Sequence, residues 1–438
     1  METLSTSEKE SLQLERLQTT VKRVFDNVPH YQRKFAENKI EPKDIRSIED
    51  IQKLPFTVKM DLRDNYPFGL FAKSIEETKR IHVSSGTSGK PTVVAFTGND
   101  LEVWSEIVAR AIAASGGAPG GIFHNAYGYG LFTGGLGIHY GSEKLGMVTV
   151  PVSGGNTERQ ITLIEDFQPT VIGGTPSYIL NIIETMEKLG KDPLSTSLKY
   201  GILGAETWSE EMRFNLESRL GIKAMDIYGL SEVMGPGIGV ECKEAQDGLH
   251  IADDHFYVEV INPDTLEPVP EGEVGELVFT SLTKEALPII RYRTGDIASI
   301  TKEPCKCGRT SIRMSRVKGR IDDMLIIRGV NVFPSEIESA LLEMSELVPH
   351  YQLIIKREGA LEKVVLKVEV NEQFYKSTNA DMNHEKIISL SNKIRRKLKS
   401  YCLVTIDAEF EAPGKIPRSE GKAIRIVRET IDSTVISH

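Results

Sequence analysis

A chain of 438 residues exceeds one ordinary hydrophobic core, so two or three domains are expected. Forty per cent hydrophobic and 26% charged residues are the balance of a globular protein, and a net charge of −9 argues against a nucleic-acid binder, which carries a basic surplus. The polar opening lacks an apolar signal core, no apolar run approaches bilayer length, and four cysteines make no disulfide framework, so the cytoplasm is the expected compartment.

Ser7-x-x-Glu10 has the form of a capping box, opening a helix with Leu14, Leu17, Val21 and Val24 on one face. Between residues 80 and 300, strands are expected at 147–152, 170–172, 200–203 and 224–227, with helices at 158–167, 177–189 and 210–220 between them. Alternation of this kind implies α/β architecture with a parallel sheet. Strands then follow one another at 256–261, 275–280 and 296–300, punctuated by Asn262-Pro263-Asp264 and Pro270-Glu271-Gly272. Beyond the 319–323 turn, strands at 324–327, 352–356 and 363–370 and helices at 335–344 and 384–398 form a small α+β unit. The expected division is therefore 1–319 and 320–438.

The stretch Ser84-Ser85-Gly86-Thr87-Ser88-Gly89-Lys90-Pro91 is the most informative in the chain. Glycines let a backbone approach a ligand closely, hydroxyls and N–H groups can wrap phosphate oxygens, and a lysine adds positive charge. It is not a Walker loop, because only two residues separate Gly86 from Gly89 and a proline follows Lys90. A plain hairpin loop between 81–83 and 93–96 is the alternative. Asp226-Ile227-Tyr228-Gly229-Leu230-Ser231-Glu232 follows an expected strand, where ligands of parallel sheets sit. Tyr228 can pack on a flat base and Glu232 can hold phosphate-bound Mg²⁺; a solvated strand–turn is the bland alternative. Asp296, just past an expected turn, can accept from ribose hydroxyls, and Gly204-Ala205-Glu206 can line an adenine pocket. Near the C-terminus, the glycine-flanked Lys422 can reach another domain as a point charge, or belong to a solvated basic tail.

In this order, these blocks resemble the adenylate-forming superfamily of acyl-CoA synthetases, adenylation domains and luciferases. Within it they look like the phenylacetate–CoA ligases, and the resemblance runs essentially end to end. It rests on residues 84–91, on Ala126-Tyr127-Gly128-Tyr129-Gly130-Leu131-Phe132-Thr133-Gly134-Gly135, on 226–232, and on Pro417-Arg418-Ser419-Glu420-Gly421-Lys422. The resemblance implies two half-reactions: a carboxylate attacks the α-phosphate of MgATP to give an acyl-adenylate and pyrophosphate, then coenzyme A displaces AMP. It assigns Ser85, Gly86, Thr87, Ser88 and Lys90 to the β- and γ-phosphates. Tyr228 and the Gly204–Ala205–Glu206 turn go to adenine, with Asp226, Ile227, Gly229 and Ser231 beside it. Asp296 and Arg320 go to the ribose, Glu232 to Mg²⁺, and Lys422 to the adenylating charge. Asp322 is the implied hinge of a rotating C-terminal domain, and Gly329 the residue flanking the coenzyme A tunnel. Two departures are Ser231, where the superfamily usually has Thr, and Arg418, where many relatives have Lys.

Tyr127 and Phe132, among glycines, suit an aryl ring better than a long alkyl chain, although core filling is the plain alternative. Cys305-x-Cys307 has the look of a metal knuckle, and Cys242 with His250 makes a second pair. Four such residues can close a structural zinc site, and reduced unliganded cysteines are the alternative. The expected partners are an aryl acid, ATP and coenzyme A, with no nucleic acid, no membrane and a homodimer as one candidate assembly. Rival readings are an adenylate-former acting on another aryl acid such as indole-3-acetate or serving an amine or carrier protein, a P-loop NTPase or kinase, and a non-catalytic binding module.

Overall fold

The computed structural model describes residues 1–84, 91–327, 330–358 and 361–429. Its centre is a nine-stranded sheet. Val148–Val150, Ile122–Asn125, Val171–Gly174, Tyr200–Gly204 and Lys223–Leu230 run parallel across it. Gly235–Glu241, Leu249–Ile251, Arg313–Met314 and Ile300–Thr301 continue it antiparallel to its far edge. The helices Thr133–Lys144, Thr157–Phe167, Pro176–Lys188 and Glu210–Leu220 make the crossovers between the parallel strands. Val171–Gly174 is buried at every position, as a central parallel strand covered on both faces must be. This is the expected α/β fold.

A second, antiparallel sheet orders Phe256–Ile261, Gly275–Ser281, Tyr292–Ala298 and Gly319–Arg320. Its third strand starts four residues before the expected 296. Gly295, at φ +76°, and a register shift between Glu276 and Val278 bulge the strand, so Asp296 lies within it and not just past a turn. The first helix, Thr6–Asn27, also differs from expectation. Ser5, not Ser7, caps it, with the Glu8 carboxylate returning to the Ser5 N–H at 2.9 Å. Ser-x-x-Glu occurs twice in overlap here, and the earlier copy wins.

Beyond Arg320 a separate cluster of buried side chains, from Leu325 to Ile406, fills a smaller unit. Its sheet orders Asp407–Glu411, Leu361–Val370, Leu347–Glu358 and Ile426–Glu429, with helices Pro334–Leu342 and Glu385–Cys402. The 22-residue helix Thr6–Asn27 and its partner Pro29–Asn38 pack on the larger unit through Leu17, Val21, Val24, Tyr31 and Phe35, all fully buried. Among the described residues no helix is long and apolar enough to cross a membrane.

Candidate active site

The parallel strands end on one rim, and the singled-out residues line it. Tyr200–Gly204 delivers Ala205 and Glu206, Lys223–Leu230 delivers Tyr228, Ser231 and Glu232, and Ile122–Asn125 delivers Tyr127. Crevices at this end of an open α/β sheet are where ligands bind. Gly204 has no room for a side chain there: a Cβ would sit 2.1 Å from the Ile227 carbonyl oxygen.

Asp296 reaches the same rim from the second sheet and is almost fully buried. Its Oδ2 accepts the Tyr228 hydroxyl at 2.6 Å and its Oδ1 accepts Arg320 Nη1 at 2.8 Å. Burial raises the Asp296 carboxyl above the usual carboxylate range, and the Arg320 guanidinium opposes that shift. Tyr228 stacks on Phe279 with centroids 5.9 Å apart, so a flat ring and a carboxylate stand side by side. Ser231 Oγ shares a 2.9 Å hydrogen bond with Thr133 Oγ1, which ties the strand end to the helix behind it. Asp226 lies deeper, paired with Arg316 at 3.2 Å, while Ile227 and Gly229 supply backbone.

Lys422 arrives from the smaller unit. Its Nζ lies 5.3 Å from the Phe132 ring centroid, and the acidic groups facing it are Glu206, Asp296 and Glu232. The side chain keeps an open face to solvent, but partial desolvation in the cleft pulls its ammonium below the usual lysine range. Glu206 resists most strongly. The segment carrying Lys422 is held by Thr175, Glu184, His350 and Glu369, which the sequence did not single out, together with Glu206, which it did. Thr175 Oγ1 donates to the Gly421 carbonyl at 2.6 Å, and Glu206 Oε2 accepts the Ala423 N–H at 2.8 Å. Glu184 accepts Arg418 Nε at 3.0 Å and bonds His350 Nε2 at 2.7 Å, while Arg418 also forks onto Glu369. Gly154 lies so close that a Cβ would come within 2.6 Å of the Glu420 carbonyl oxygen.

Phe132 is partly exposed on the cleft, and Gly128 and Gly130 border open space. Tyr127 is buried, with its hydroxyl donated to the Ile202 carbonyl at 3.0 Å, so its ring forms the wall behind them. Asp322 is in the middle of the short 3₁₀ turn Ile321–Asp323 that follows the last strand of the second sheet. Ser85, Gly86, Thr87, Ser88, Lys90 and Gly329 lie outside the described residues. The strands Arg80–Ser84 and Thr92–Phe96 that flank residues 85–90 pair antiparallel, and Val83 N–H donates to the Leu131 carbonyl, next to Phe132, at 3.1 Å.

Away from this cleft, Cys242, His250, Cys305 and Cys307 come together from three segments, with all four donor atoms within 4.8 Å of one another. Cys242 Sγ is 3.7 Å from Cys305 Sγ, and Cys307 Sγ is 3.4 Å from His250 Nε2. His250 Nδ1 bonds Ser311 Oγ at 2.9 Å, which leaves Nε2 turned toward the thiols.

The AMP-binding enzyme family matches residues 37–283, and the AMP-binding enzyme C-terminal domain matches 329–429. A phenylacetate-coenzyme A ligase of Thermus thermophilus is 52% identical over 98% of both chains. A crystal structure of 2-hydroxyisobutyryl-CoA ligase in the postadenylation state superposes with a TM-score of 0.91 at 28% identity, covering 98% of this chain and 91% of that one. With 2-HIB-AMP and CoA in the thioesterification state, the same ligase covers the same shares at 28% identity and scores 0.72. The chain belongs to the AMP-binding enzyme family, the adenylate-forming superfamily, and within it to the phenylacetate-coenzyme A ligases.

Proposed function

We propose that this protein is an AMP-forming acid–thiol ligase that activates phenylacetate with ATP and transfers the acyl group to coenzyme A. The observation that carries the reading is the convergence of Lys422, from the smaller unit, with Glu206, Asp296–Arg320 and Tyr228 at the ends of the parallel strands. In the first half-reaction the substrate carboxylate attacks the α-phosphate and pyrophosphate leaves. No protein nucleophile is needed, so the protein contributes position and charge.

Each side chain then has a part. Lys422 offsets the negative charge of the carboxylate and α-phosphate as they meet. Asp296, with Arg320 fixing one oxygen, accepts from the ribose hydroxyls. Tyr228 and the Gly204–Glu206 turn bracket the adenine, with Asp226, Ile227, Gly229 and Ser231 shaping the strand end beneath it. The 85–90 loop takes the outer phosphates, and Glu232 would hold the Mg²⁺ that neutralises them. Phe132 and Tyr127 form the aryl wall, and the open space at Gly128 and Gly130 leaves width for a ring.

The division into 1–319 and 320–438 and the pivot at Asp322 belong to the same reading. What supports two orientations is that one relative fits at 0.91 in one state and at 0.72 in the other. Lys422 serves the first; in the second it withdraws and Gly329 flanks the thiol's path. Cys242, His250, Cys305 and Cys307 would hold a structural zinc ion. A tetrahedral ion with Zn–S bonds of about 2.3 Å needs sulfur–sulfur edges of about 3.8 Å, close to the 3.7 Å found. We also propose a cytoplasmic location. The function is tested by screening carboxylic acids, with phenylacetate, hydroxyphenylacetate and indole-3-acetate among them, for coenzyme A-dependent AMP release. Phenylacetate should give the highest kcat/KM; AMP release independent of coenzyme A would sink the ligase reading.

A further inference from the structure

Gln160 stands in the first turn of the helix Thr157–Phe167, next to the exposed Glu158 and Arg159, where a polar side chain ordinarily meets water. Instead it is 0% exposed, and its whole amide is engaged. Nε2 donates to the Ser153 carbonyl at 2.6 Å and to the Gly155 carbonyl at 3.3 Å, which uses both of its hydrogens. Oε1 therefore faces His124 Nε2, 2.6 Å away, and that nitrogen carries the ring's hydrogen. Burial holds the His124 imidazole below its usual range, so the ring stays neutral, and its Nδ1 has no partner among the described residues.

The chain that Gln160 grips is strained. Ser153 has φ +71° and Asn156 φ +48°, in the left-handed region that residues other than glycine rarely adopt. Asn156 is a helix cap, and its side chain accepts the Arg159 N–H at 3.3 Å. Ser153 caps nothing, yet all three of its polar groups are taken. Its N–H donates to the Asn125 carbonyl at 3.1 Å, its Oγ accepts the Tyr129 N–H at 3.3 Å, and its carbonyl accepts Gln160. Two of those bonds go to the loop that carries Tyr127 and Phe132. Gly154 then passes between that loop and the Lys422 segment: a Cβ there would stand 3.9 Å from the Ala126 carbonyl oxygen and 2.6 Å from that of Glu420. At Gly155 a Cβ would stand 3.2 Å from the Glu420 carboxylate.

A left-handed residue other than glycine persists where its surroundings over-determine it. Here the determining groups come from the aryl-pocket loop on one side and from Gln160 on the other, and the strained turn is the surface that seats Glu420. We propose that Gln160 is a positioning residue for adenylation: by holding the Ser153 and Gly155 carbonyls it shapes residues 153–156 into a brace between the aryl-pocket loop and the Lys422 segment. Filling the pocket and docking Lys422 then favour each other, as any such coupling must be reciprocal. The proposal rests on the ligase reading given above and deepens it, by naming the residue that ties acid binding to delivery of the lysine.

The test uses Gln160→Met, which keeps an unbranched side chain and removes both donors, and Ser153→Gly, which suits a positive φ and removes only the Oγ bond to Tyr129. Aryl-acid-dependent ATP–pyrophosphate exchange and thioester formation at saturating supplied acyl-adenylate are measured separately. In Gln160→Met, pyrophosphate exchange should lose roughly tenfold or more in kcat, with KM for phenylacetate up by about threefold or more. KM for ATP and the rate of thioester formation should stay within about twofold of wild type, which a general loosening of the fold would not spare. Ser153→Gly should raise KM for phenylacetate in the same direction with an unchanged melting temperature. Without any substrate, hydrogen exchange over residues 417–423 should quicken in Gln160→Met. Unchanged pyrophosphate-exchange kinetics in both variants overturn the proposal, as does an equal fall in both half-reactions or an equal rise in KM for ATP. If Gln160→Met does not fold, a wild-type KM for phenylacetate in Ser153→Gly overturns it. Absence of pyrophosphate exchange in the wild-type protein would instead remove the ligase reading; the hydrogen-exchange result then decides the brace, and unchanged protection over 417–423 overturns it.

Discussion

Glu206 and Ala423 are 217 residues apart, yet the Glu206 carboxylate accepts the Ala423 N–H at 2.8 Å while its other oxygen accepts Ser177 N–H at 2.7 Å and Ser177 Oγ at 2.6 Å. The turn assigned to adenine is thereby fastened to the residue next to Lys422. On the proposed reading, nucleotide binding and lysine delivery would share one carboxylate.

Lys422→Ala is expected to lower adenylate formation by roughly a hundredfold or more, the loss of a few kcal/mol of transition-state stabilisation. Thioester formation from supplied acyl-adenylate should be spared, because in the proposed mechanism Lys422 serves only the first step. ATP–pyrophosphate exchange and single-turnover thioester synthesis, measured side by side, check this; an equal fall in both would refute separate roles.

Gly154 offers a test that touches no catalytic group. A methyl group there meets the Glu420 carbonyl oxygen at 2.6 Å, so Gly154→Ala should push the Lys422 segment away. Exchange should fall at least tenfold with the melting temperature nearly unchanged. Glu184→Gln attacks the same docking through Arg418 and His350 and should act in the same direction. Burial works to raise the Glu184 carboxyl, but His350 and then Arg418 outweigh it and hold the group at about 2. A depressed carboxylate stabilises the docked form above its free value, so that contribution is full at neutral pH. It is lost as pH falls from about 4.5 toward 2. Interdomain protection measured by hydrogen exchange should decline across that window in the wild type and less so in Glu184→Gln.

Much of the larger unit is legible in sequence because apolar runs and amphipathic stretches alternate cleanly; Glu210–Leu220 forms over the residues its pattern marks. The sequence marks Asp296 as a candidate but misplaces it just past a turn, since the bulge at Gly295 has no periodicity to betray it. The metal-type cluster could be anticipated because cysteine and histidine are scarce enough to stand out. The grip on the Lys422 segment could not: Thr175 meets Gly421 across 246 residues, and nothing local marks either.

Asp322→Pro tests the pivot. Among the described residues no hydrogen bond from the Asp322 N–H is found, and Met324 N–H returns to Ile321 at 3.3 Å, so proline removes no backbone hydrogen bond from the turn. It fixes φ at 322 and narrows the choices at Ile321, which takes away the freedom a swing requires. Exchange should persist while coenzyme A-dependent turnover falls at least tenfold, with melting temperature as the control for folding. Normal thioester synthesis in a well-folded variant would exclude rotation at this residue.

The cysteine–histidine cluster should return about one zinc per chain when protein purified without added metal is analysed. The four donors fit because three thiols and one imidazole match the ligand types of closed structural sites, and because Ser311 already orients His250. Removing the ion should matter most at one edge of the molecule. Residues 305–311 sit between two strands at the end of the large sheet, and Thr310 accepts Lys9 Nζ at 2.6 Å while its N–H donates to the Glu2 carbonyl at 2.9 Å. Chelation or Cys305→Ser/Cys307→Ser should therefore expose residues 1–10 to proteolysis and lower the melting temperature by several degrees. The cleft is built from other strands, so KM values for ATP and the aryl acid should change little in whatever fraction remains folded. Zinc retained in the double-serine variant, or none in the wild type, would show that the cluster is four reduced side chains without an ion.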